Sequence, residues 1–495
     1  MRIGNLMNES GVKFGTSGAR GLATDMTDWV CYAYTAGFLG YLRTLGALVP
    51  GQEIGIAGDL RPSSPRIMNA CATAVIDHGC HPRNFGAIPS PALAGYGMAR
   101  GMPTLMVTGS HIPDDRNGIK FNLPTGEILK RDEEDISLQD VQCPAGLFDA
   151  AGGFVVGRGT VLPAPDRSAY REYVDRYLGF FPADCLKGLR VGVYEHSSVA
   201  REVYVEVLAG LGARVTRLGY SEVFIPVDTE AVRPEDAVLA RDWAASGQFD
   251  ALVSADGDGD RPLIADESGH WLRGDIAGVL CARQLGARGV VTPVSSNTAV
   301  ERCGCFDSVR RTRIGSPFVI EGMLQAIDEG LTSVVGYEAN GGFLLGTDIK
   351  RDGRVLAALP TRDAVLVALT ILLASVERGM PVSALARDLP ARFTHSDRLK
   401  DFPIQISQAG IAALVSGDFT RDKTAVEAVF AAHFGAVAAL DMTDGLRITF
   451  VSGEIAHLRP SGNAPELRAY TEADSPERAA AMNRICMEIL AGWRG

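Results

Sequence analysis

The sharpest chemical signal in the chain is Asp256-Gly-Asp258-Gly-Asp260-Arg261, entered directly from the apolar run Ala251-Leu-Val253. Carboxylates at alternate positions of a glycine-permitted loop can converge on one hard cation. Burying them together without a cation would be strongly repulsive. The spacing also matches the start of an EF-hand, with Glu267 at the twelfth position. The sixth position, however, is Arg261 rather than glycine, Pro262 follows, and the segment leaves a strand rather than a helix. An EF-hand is therefore excluded.

Four further loops carry reactive or anion-binding residue types. Thr108-Gly109-Ser110-His111-Ile112-Pro113, followed by Asn117-Gly-Ile-Lys120, sits just after the apolar strand Thr104–Val107. A serine beside a glycine on a turn is expected to be exposed and able to approach phosphorus, with Lys120 as charge partner or proton shuttle. No G-x-S-x-G elbow is present, so a serine hydrolase of that kind is not indicated. Gly336-Tyr337-Glu338-Ala339-Asn340-Gly341-Gly342 offers a carboxylate and an amide suited to neighbouring sugar hydroxyls. Arg459-Pro-Ser461-Gly462-Asn463-Ala-Pro465, with Arg468 beyond it, has the composition of an anion cradle. Phe14-Gly-Thr16-Ser17-Gly-Ala-Arg20-Gly21 is another glycine, hydroxyl and arginine loop. Read singly, each of these four also suits an ordinary turn. Neither a P-loop nor a Rossmann fingerprint occurs.

The elements that must position these loops follow from the alternation of short apolar runs with longer helical stretches, the rhythm of α/β proteins. Strands are expected at Ile54–Ala57, Thr104–Thr108, Arg190–Tyr194, Ala251–Ala255, Gly289–Thr292 and Val334–Tyr337. Helices are expected at Ser64–His78, Ser198–Leu211 and Pro317–Gly330. In mostly parallel sheets, ligands collect in loops beyond the strands' carboxyl ends. Breaks at Pro163-Ala-Pro165, near Leu272 and at Gly379-Met-Pro381 suggest units over 1–165, 166–273, 274–385 and 386–495. The last is α+β and closes with a helix capped by Ser475, with Pro476 at its first position.

Composition narrows the class. The chain has 495 residues, 46% hydrophobic and 22% charged, a globular balance. Lys and Arg number 48 against 59 Asp and Glu, a net charge of −11 that argues against nucleic-acid or membrane-surface partners. Nine cysteines without repeated spacing read as free thiols of a reducing compartment, and Cys303-Gly-Cys305 lacks a second ligand pair for a metal. The first ten residues show no apolar signal region, and the runs Trp29 to Leu42 and Ala364 to Val376 fall short of a bilayer span. A soluble, cytoplasmic protein is expected.

Taken in order, the five loops resemble the α-D-phosphohexomutase superfamily, and within it the bacterial phosphomannomutase/phosphoglucomutase group. The resemblance runs from FGTSGARG to RPSGNAPELR. It implies an α/β fold of three related mixed-sheet units plus a smaller C-terminal α+β domain around a central cleft. It implies a hexose 6-phosphate to hexose 1-phosphate interconversion, mannose first, through a phosphoserine and a sugar 1,6-bisphosphate. It further implies Ser110 as phosphoryl carrier, Asp256, Asp258 and Asp260 with Ser110 as Mg²⁺ ligands, and His111, Lys120, Arg20 and Arg261 around the reacting phosphate. Glu338 and Asn340 would read the sugar, and Arg459, Ser461, Gly462, Asn463 and Arg468 would grip the non-reacting phosphate. The chain departs from the family pattern at Gly109 and Ile112 in TASHNP, and at Asn463 and Ala464 in RPSGTEP. In GExSGH, Asn340 replaces the serine and Gly342 stands where a histidine often sits. These departures leave glucose, glucosamine and N-acetylglucosamine phosphates as alternative substrates. A non-catalytic phosphosugar- or metal-binding homologue is the non-enzyme alternative. A D-x-D-x-T phosphatase is not supported, because Asp260 stands where threonine would be needed.

Overall fold

The computed structural model describes residues 1–15, 18–461 and 465–494. Three of its sheets share one topology. In the first, Glu53–Gly58, His81–Ala87 and Thr104–Val107 run parallel and Arg116–Leu123 returns antiparallel. The spatial order of these strands is second, first, third, fourth. Arg190–His196, Arg214–Tyr220, Ala251–Ala255 and Pro262–Ala265 repeat this arrangement. So do Gly289–Pro293, Ser308–Thr312, Val334–Tyr337 and Phe343–Leu345. The first sheet is extended by Lys13–Phe14, Ala19–Leu22 and Gly126–Glu127.

This repetition decides where chemistry sits. In each sheet the third strand ends in a loop that folds straight back into the antiparallel fourth. Those three loops are the Ser110 segment, the Asp256–Asp260 segment and the Glu338 segment. The third strands of the second and third sheets, Ala251–Ala255 and Val334–Tyr337, are buried at every position, which explains why they are largely apolar, with Ser254 donating to the Tyr194 carbonyl. The antiparallel fourth strands were not among the strands expected. Arg116–Leu123 mixes Arg116, Asn117, Lys120 and Asn122 with Ile119 and Phe121, Pro262–Ala265 opens on proline, and Phe343–Leu345 is three residues long.

The two long apolar runs are core helices. Asp28–Thr44 packs within the first unit, and every residue from Ala364 to Ser375 of helix Ala364–Arg378 is buried. Among the described residues no helix is long and apolar enough to cross a membrane. All nine cysteines are free. The C-terminal part is a five-stranded antiparallel sheet from Phe393–Leu399 to Leu467–Ala473, backed by helices that include Pro476–Ala491. Its own core gathers Phe430, Phe434, Ile448, Leu458 and Met482. Ser475 caps the final helix by accepting the Arg478 N–H, with Pro476 in the first turn.

Two histidines in this framework are buried and neutral. His196 donates Nε2–H to the Ala255 carbonyl at 2.8 Å, and His457 donates to the Asp444 carbonyl at 2.5 Å. Burial pushes both imidazoles down to about 4 from the usual 6.5. The unfolded chain therefore binds more protons than the fold once pH drops below about 6.5, and stability falls progressively as pH is lowered towards about 4. His457→Gln keeps a donor for Asp444 but cannot titrate, so it should flatten the loss of urea stability between about pH 6.5 and 5. Identical slopes for the two proteins would refute this assignment.

Candidate active site

Carboxylate oxygens of Asp256, Asp258 and Asp260 lie within 4.8 Å of one another, and all three residues are buried. The loop is tied by Asp256 Oδ1, which accepts the N–H groups of Asp260 and Arg261, both at 3.2 Å. Lys120 arrives from the antiparallel strand of the first sheet. Its neighbours Ile119 and Phe121 enter the apolar core, so alternation turns Lys120 to the opposite face. There Nζ donates to Asp258 Oδ2 at 2.5 Å and Asp260 Oδ2 at 2.6 Å. Ser90, first residue of helix Ser90–Met98, donates to Asp258 Oδ2 at 2.6 Å. Arg362 approaches Asp260 Oδ2 at 3.0 Å and Glu338 Oε2 at 3.3 Å.

Burial opposes every charge in this cluster. Asp256 also faces repulsion from its two neighbours and is pushed well above the usual carboxylate range. For Asp258 and Asp260, Lys120 and Arg362 outweigh burial and hold both below it. Burial likewise opposes the Lys120 charge, but Asp258 and Asp260 overcome it, so the lysine stays protonated. Oδ1 of Asp258 and Oδ1 of Asp260 are buried and accept no hydrogen bond. Closely grouped carboxylate oxygens with free lone pairs fit a hard, oxygen-seeking cation such as Mg²⁺. Among the described residues, this is the only cluster of metal-ligating side chains so arranged.

The serine loop lies against the acid loop. Ser110 has φ 59, a left-handed conformation, and its N–H donates to Thr108 Oγ1 at 2.7 Å. Its Oγ donates to Asp256 Oδ2 at 2.5 Å and lies 3.3 Å from His111 Nδ1. Ser110 is only 1% exposed, contrary to the exposure expected of a glycine-flanked turn, because its hydroxyl points inward at Asp256. Arg261 donates Nη1–H to His111 Nδ1 at 2.7 Å. Burial and the adjacent Arg261 and Arg20 charges hold His111 well below its usual pKa, so the ring is neutral.

One buried arginine fixes this loop. Arg61 donates to the carbonyls of Ser110 (2.9 Å), Ile112 (2.6 Å), Pro113 (2.5 Å) and Arg116 (3.0 Å), and to Asp59 Oδ2 (3.0 Å). The guanidinium also stacks 4.1 Å from the Phe224 ring. A Cβ at Gly109 would fall 2.6 Å from Arg61 Cζ, which accounts for glycine there. Gly109→Ala should therefore cost about 1–3 kcal/mol of stability as overpacking, read by urea denaturation. An unchanged midpoint would show that Arg61 is free to move aside.

The other expected residues are distributed unevenly. Arg20, on strand Ala19–Leu22, sits among these charges, and burial with Arg261 and Arg362 lowers its pKa to about 10. Asn340 turns Oδ1 back to accept the Gly342 N–H at 2.9 Å, so that oxygen serves its own loop. Arg459 Nε lies 2.9 Å from Asp444, and Arg468 is paired with Glu466 at 2.9 Å. Ser461 is buried, and Gly462 and Asn463 lie outside the described residues. A cavity of about 330 Å³ runs from His111 and Arg261 to Ser396, Arg398, Arg468 and Tyr470, with Asp228 and Glu230 on its wall. It brings His111 and Arg261 of the serine and acid loops onto one space with Arg468 of the C-terminal sheet, while Ser110 and the three Asp residues are buried. Motif reading missed Asp228, Glu230, Tyr470, Ser90, Arg61 and Arg362. Only Arg61 had a local signal, Asp59-Leu-Arg61 directly after a strand.

Residues 11–139, 273–393 and 414–489 match the family models for phosphoglucomutase/phosphomannomutase alpha/beta/alpha domain I, alpha/beta/alpha domain III and C-terminal domain. A phosphomannomutase of Salmonella muenchen is 44% identical over 96% of this chain and 95% of its own length. One from Sinorhizobium fredii is 44% identical over 95% of this chain and 96% of its own. A phosphoglucosamine mutase of Gluconacetobacter diazotrophicus is 30% identical over 76% of this chain and 80% of its own. A phosphoglucomutase/phosphomannomutase family protein of Burkholderia thailandensis shares the fold with TM-score 0.70 at 19% identity, over 97% of each chain. Relatedness of this extent, carried on the same repeated sheets and the same ordered loops, means that the chain belongs to the phosphoglucomutase/phosphomannomutase family of the α-D-phosphohexomutase superfamily.

Proposed function

We propose that the protein interconverts mannose 6-phosphate and mannose 1-phosphate through phosphorylated Ser110 and mannose 1,6-bisphosphate. The observation that carries this reading is the Ser110 hydroxyl held 2.5 Å from the acid cluster, in a chain 44% identical over nearly its full length to phosphomannomutases. The units 1–165, 166–273, 274–385 and 386–495 fit it, since each of the four large sheets falls within one of them.

The substrate's free hydroxyl oxygen attacks the phosphorus of phospho-Ser110. The P–Oγ bond breaks as the new O–P bond forms. The hydroxyl proton ends on the departing serine oxygen, and neutral His111, with Nδ1 3.3 Å from Oγ, relays it once Arg261 turns its N–H from that nitrogen to the phosphoryl oxygens. A phosphoryl dianion beside the ring would raise its basicity. Lys120, protonated and buried, acts as a fixed cation rather than a base, and with Arg20 and Arg261 it balances charge on the phosphoryl oxygens. Asp256, Asp258 and Asp260 would hold Mg²⁺, which supplies electrostatic stabilisation of the transferring group when bound. Arg468 and Ser461, with Arg459, Gly462 and Asn463, are assigned to the distal phosphate, and Glu338 with Asn340 to the sugar hydroxyls. After the bisphosphate turns round, its other phosphate returns to Ser110 by the reverse of the same step.

The test is a coupled assay with Mg²⁺ and a trace of sugar bisphosphate, comparing mannose, glucose, glucosamine and N-acetylglucosamine phosphates. Mannose phosphates should turn over fastest, and intact mass should show one phosphate on Ser110. Ser110→Ala should lower turnover by ~10³-fold or more, and chelation should abolish it until Mg²⁺ is returned. Release of inorganic phosphate without isomerisation would sink the proposal.

A further inference from the structure

We propose that Arg362 is a positioning residue that fixes the aim of Glu338 and thereby sets the choice among epimeric sugars. This rests on the reading of Glu338 as the sugar-binding carboxylate. The sequence gives no motif for Arg362, and the three loops above do not contain it. It lies between strand Arg354–Leu356 and helix Ala364–Arg378, immediately before the helix cap Asp363.

Its base is rigid. Asp363 caps the helix by accepting the Leu366 N–H at 3.1 Å and also accepts the hydroxyls of Tyr173 (2.8 Å) and Tyr177 (2.5 Å). The Asp363 N–H donates to the Phe343 carbonyl at 2.9 Å, which ties this segment to the strand that follows the sugar loop. From this anchor the Arg362 side chain runs inward until the residue is only 1% exposed. One end of its planar fork meets Asp260 Oδ2 at 3.0 Å and the other meets Glu338 Oε2 at 3.3 Å. A guanidinium held from one side by a buried carboxylate has little freedom left, so it fixes the rotation of the carboxylate on its other side. The acid loop of the second sheet and the sugar loop of the third are thereby held in register through one side chain.

The sequence makes room for this strut. A Cβ at Gly342 would lie 2.5 Å from Arg362 Cδ and 2.7 Å from Cγ. The aliphatic stem therefore occupies the space that a side chain at 342 would enter. Glycine at 342 and arginine at 362 are two halves of one arrangement, in which Glu338 is oriented from the neighbouring segment rather than from within its own loop.

A purely structural role, neutralising buried Asp260, predicts lost stability or lost kcat with an unchanged preference among sugars. The positioning role predicts a change in KM and in epimer preference. Arg362→Met should raise KM for mannose 1-phosphate and reduce the mannose-to-glucose ratio of kcat/KM, each about tenfold, the worth of one hydrogen bond to a charged group. In a Glu338→Gln background the same substitution should add less than about twofold, because the two residues act as one unit. Gly342→Ala keeps the guanidinium but displaces its stem, and should shift the same ratio. Arg362→Lys, which keeps the charge without the fork, should do so too and serves if the methionine variant does not fold. Additive losses in the Glu338→Gln background would overturn the proposal. So would a wild-type epimer ratio in folded Gly342→Ala or Arg362→Lys protein. Calorimetric binding of mannose 6-phosphate and glucose 6-phosphate to wild type and Gly342→Ala reads the ratio without catalysis. A wild type that binds with preference but does not turn over would therefore count against the mutase reading and not against this one.

Discussion

Burying three carboxylates on one loop is the constraint around which the molecule is arranged. Left uncompensated, such charges cost several kcal/mol each. The compensation comes from distant parts of the chain: Arg20 from an N-terminal strand, Lys120 from the first sheet, Arg261 from the loop itself and Arg362 from beyond the third sheet. Glu338, paired with Arg362, adds a fourth carboxyl group to match the four cationic side chains. The acid loop can be buried only when these segments have all arrived, which links assembly of the units to completion of the site. The balance also suits the reaction. On the proposed mechanism a phosphoryl group on Ser110 would add nearly two negative charges and a bound divalent cation two positive ones, so the two together would change the net charge of the site little. The overall charge of −11 is therefore no obstacle to an anionic substrate, because the cleft answers to its local cations.

The repeated sheet explains how such a site can be built from one simple plan. The same turn, from the third parallel strand into the antiparallel fourth, carries a serine in the first unit, carboxylates in the second and Glu338 in the third. The turn is anchored at both ends by a sheet, so its side chains are aimed by rigid neighbours. The C-terminal sheet follows a different, wholly antiparallel plan and faces His111 of the first unit and Asp228, Glu230 and Arg261 of the second across the cavity through Ser396, Arg398, Arg468 and Tyr470.

Much of this was legible along the chain. Ala251–Ala255 and Val334–Tyr337 were expected with their observed limits, because strands buried on both faces are largely apolar runs. The acid loop was legible because all its chemistry is contiguous. Arg116–Leu123 was not, although Ile119, Phe121 and Leu123 alternate with Lys120 and Asn122, because its opening Arg116-Asn117-Gly118 has the composition of a turn. Arg362 and Ser90 were invisible for another reason. Each is a single polar residue whose partners lie far away in sequence, so its role exists only after the sheets have come together. Asn340 shows the reverse, a residue whose type suggests a ligand contact but whose oxygen closes its own turn.

The burial of Ser110 has a bearing on time as well as geometry. A phosphoserine is a store of transferable phosphate, and water is a competing acceptor present at far higher concentration than any sugar. A serine recessed beneath its own loop, with Arg61 closing that loop from behind, leaves little room for an unpositioned water to line up with the P–O bond. If Ser110 carries the phosphate as proposed, the lifetime of the primed state would be set by how seldom water reaches it, and the frequency of repriming by the leak that remains. On this view the recess acts as a clock: the slower the leak, the more turnovers a single priming event can support.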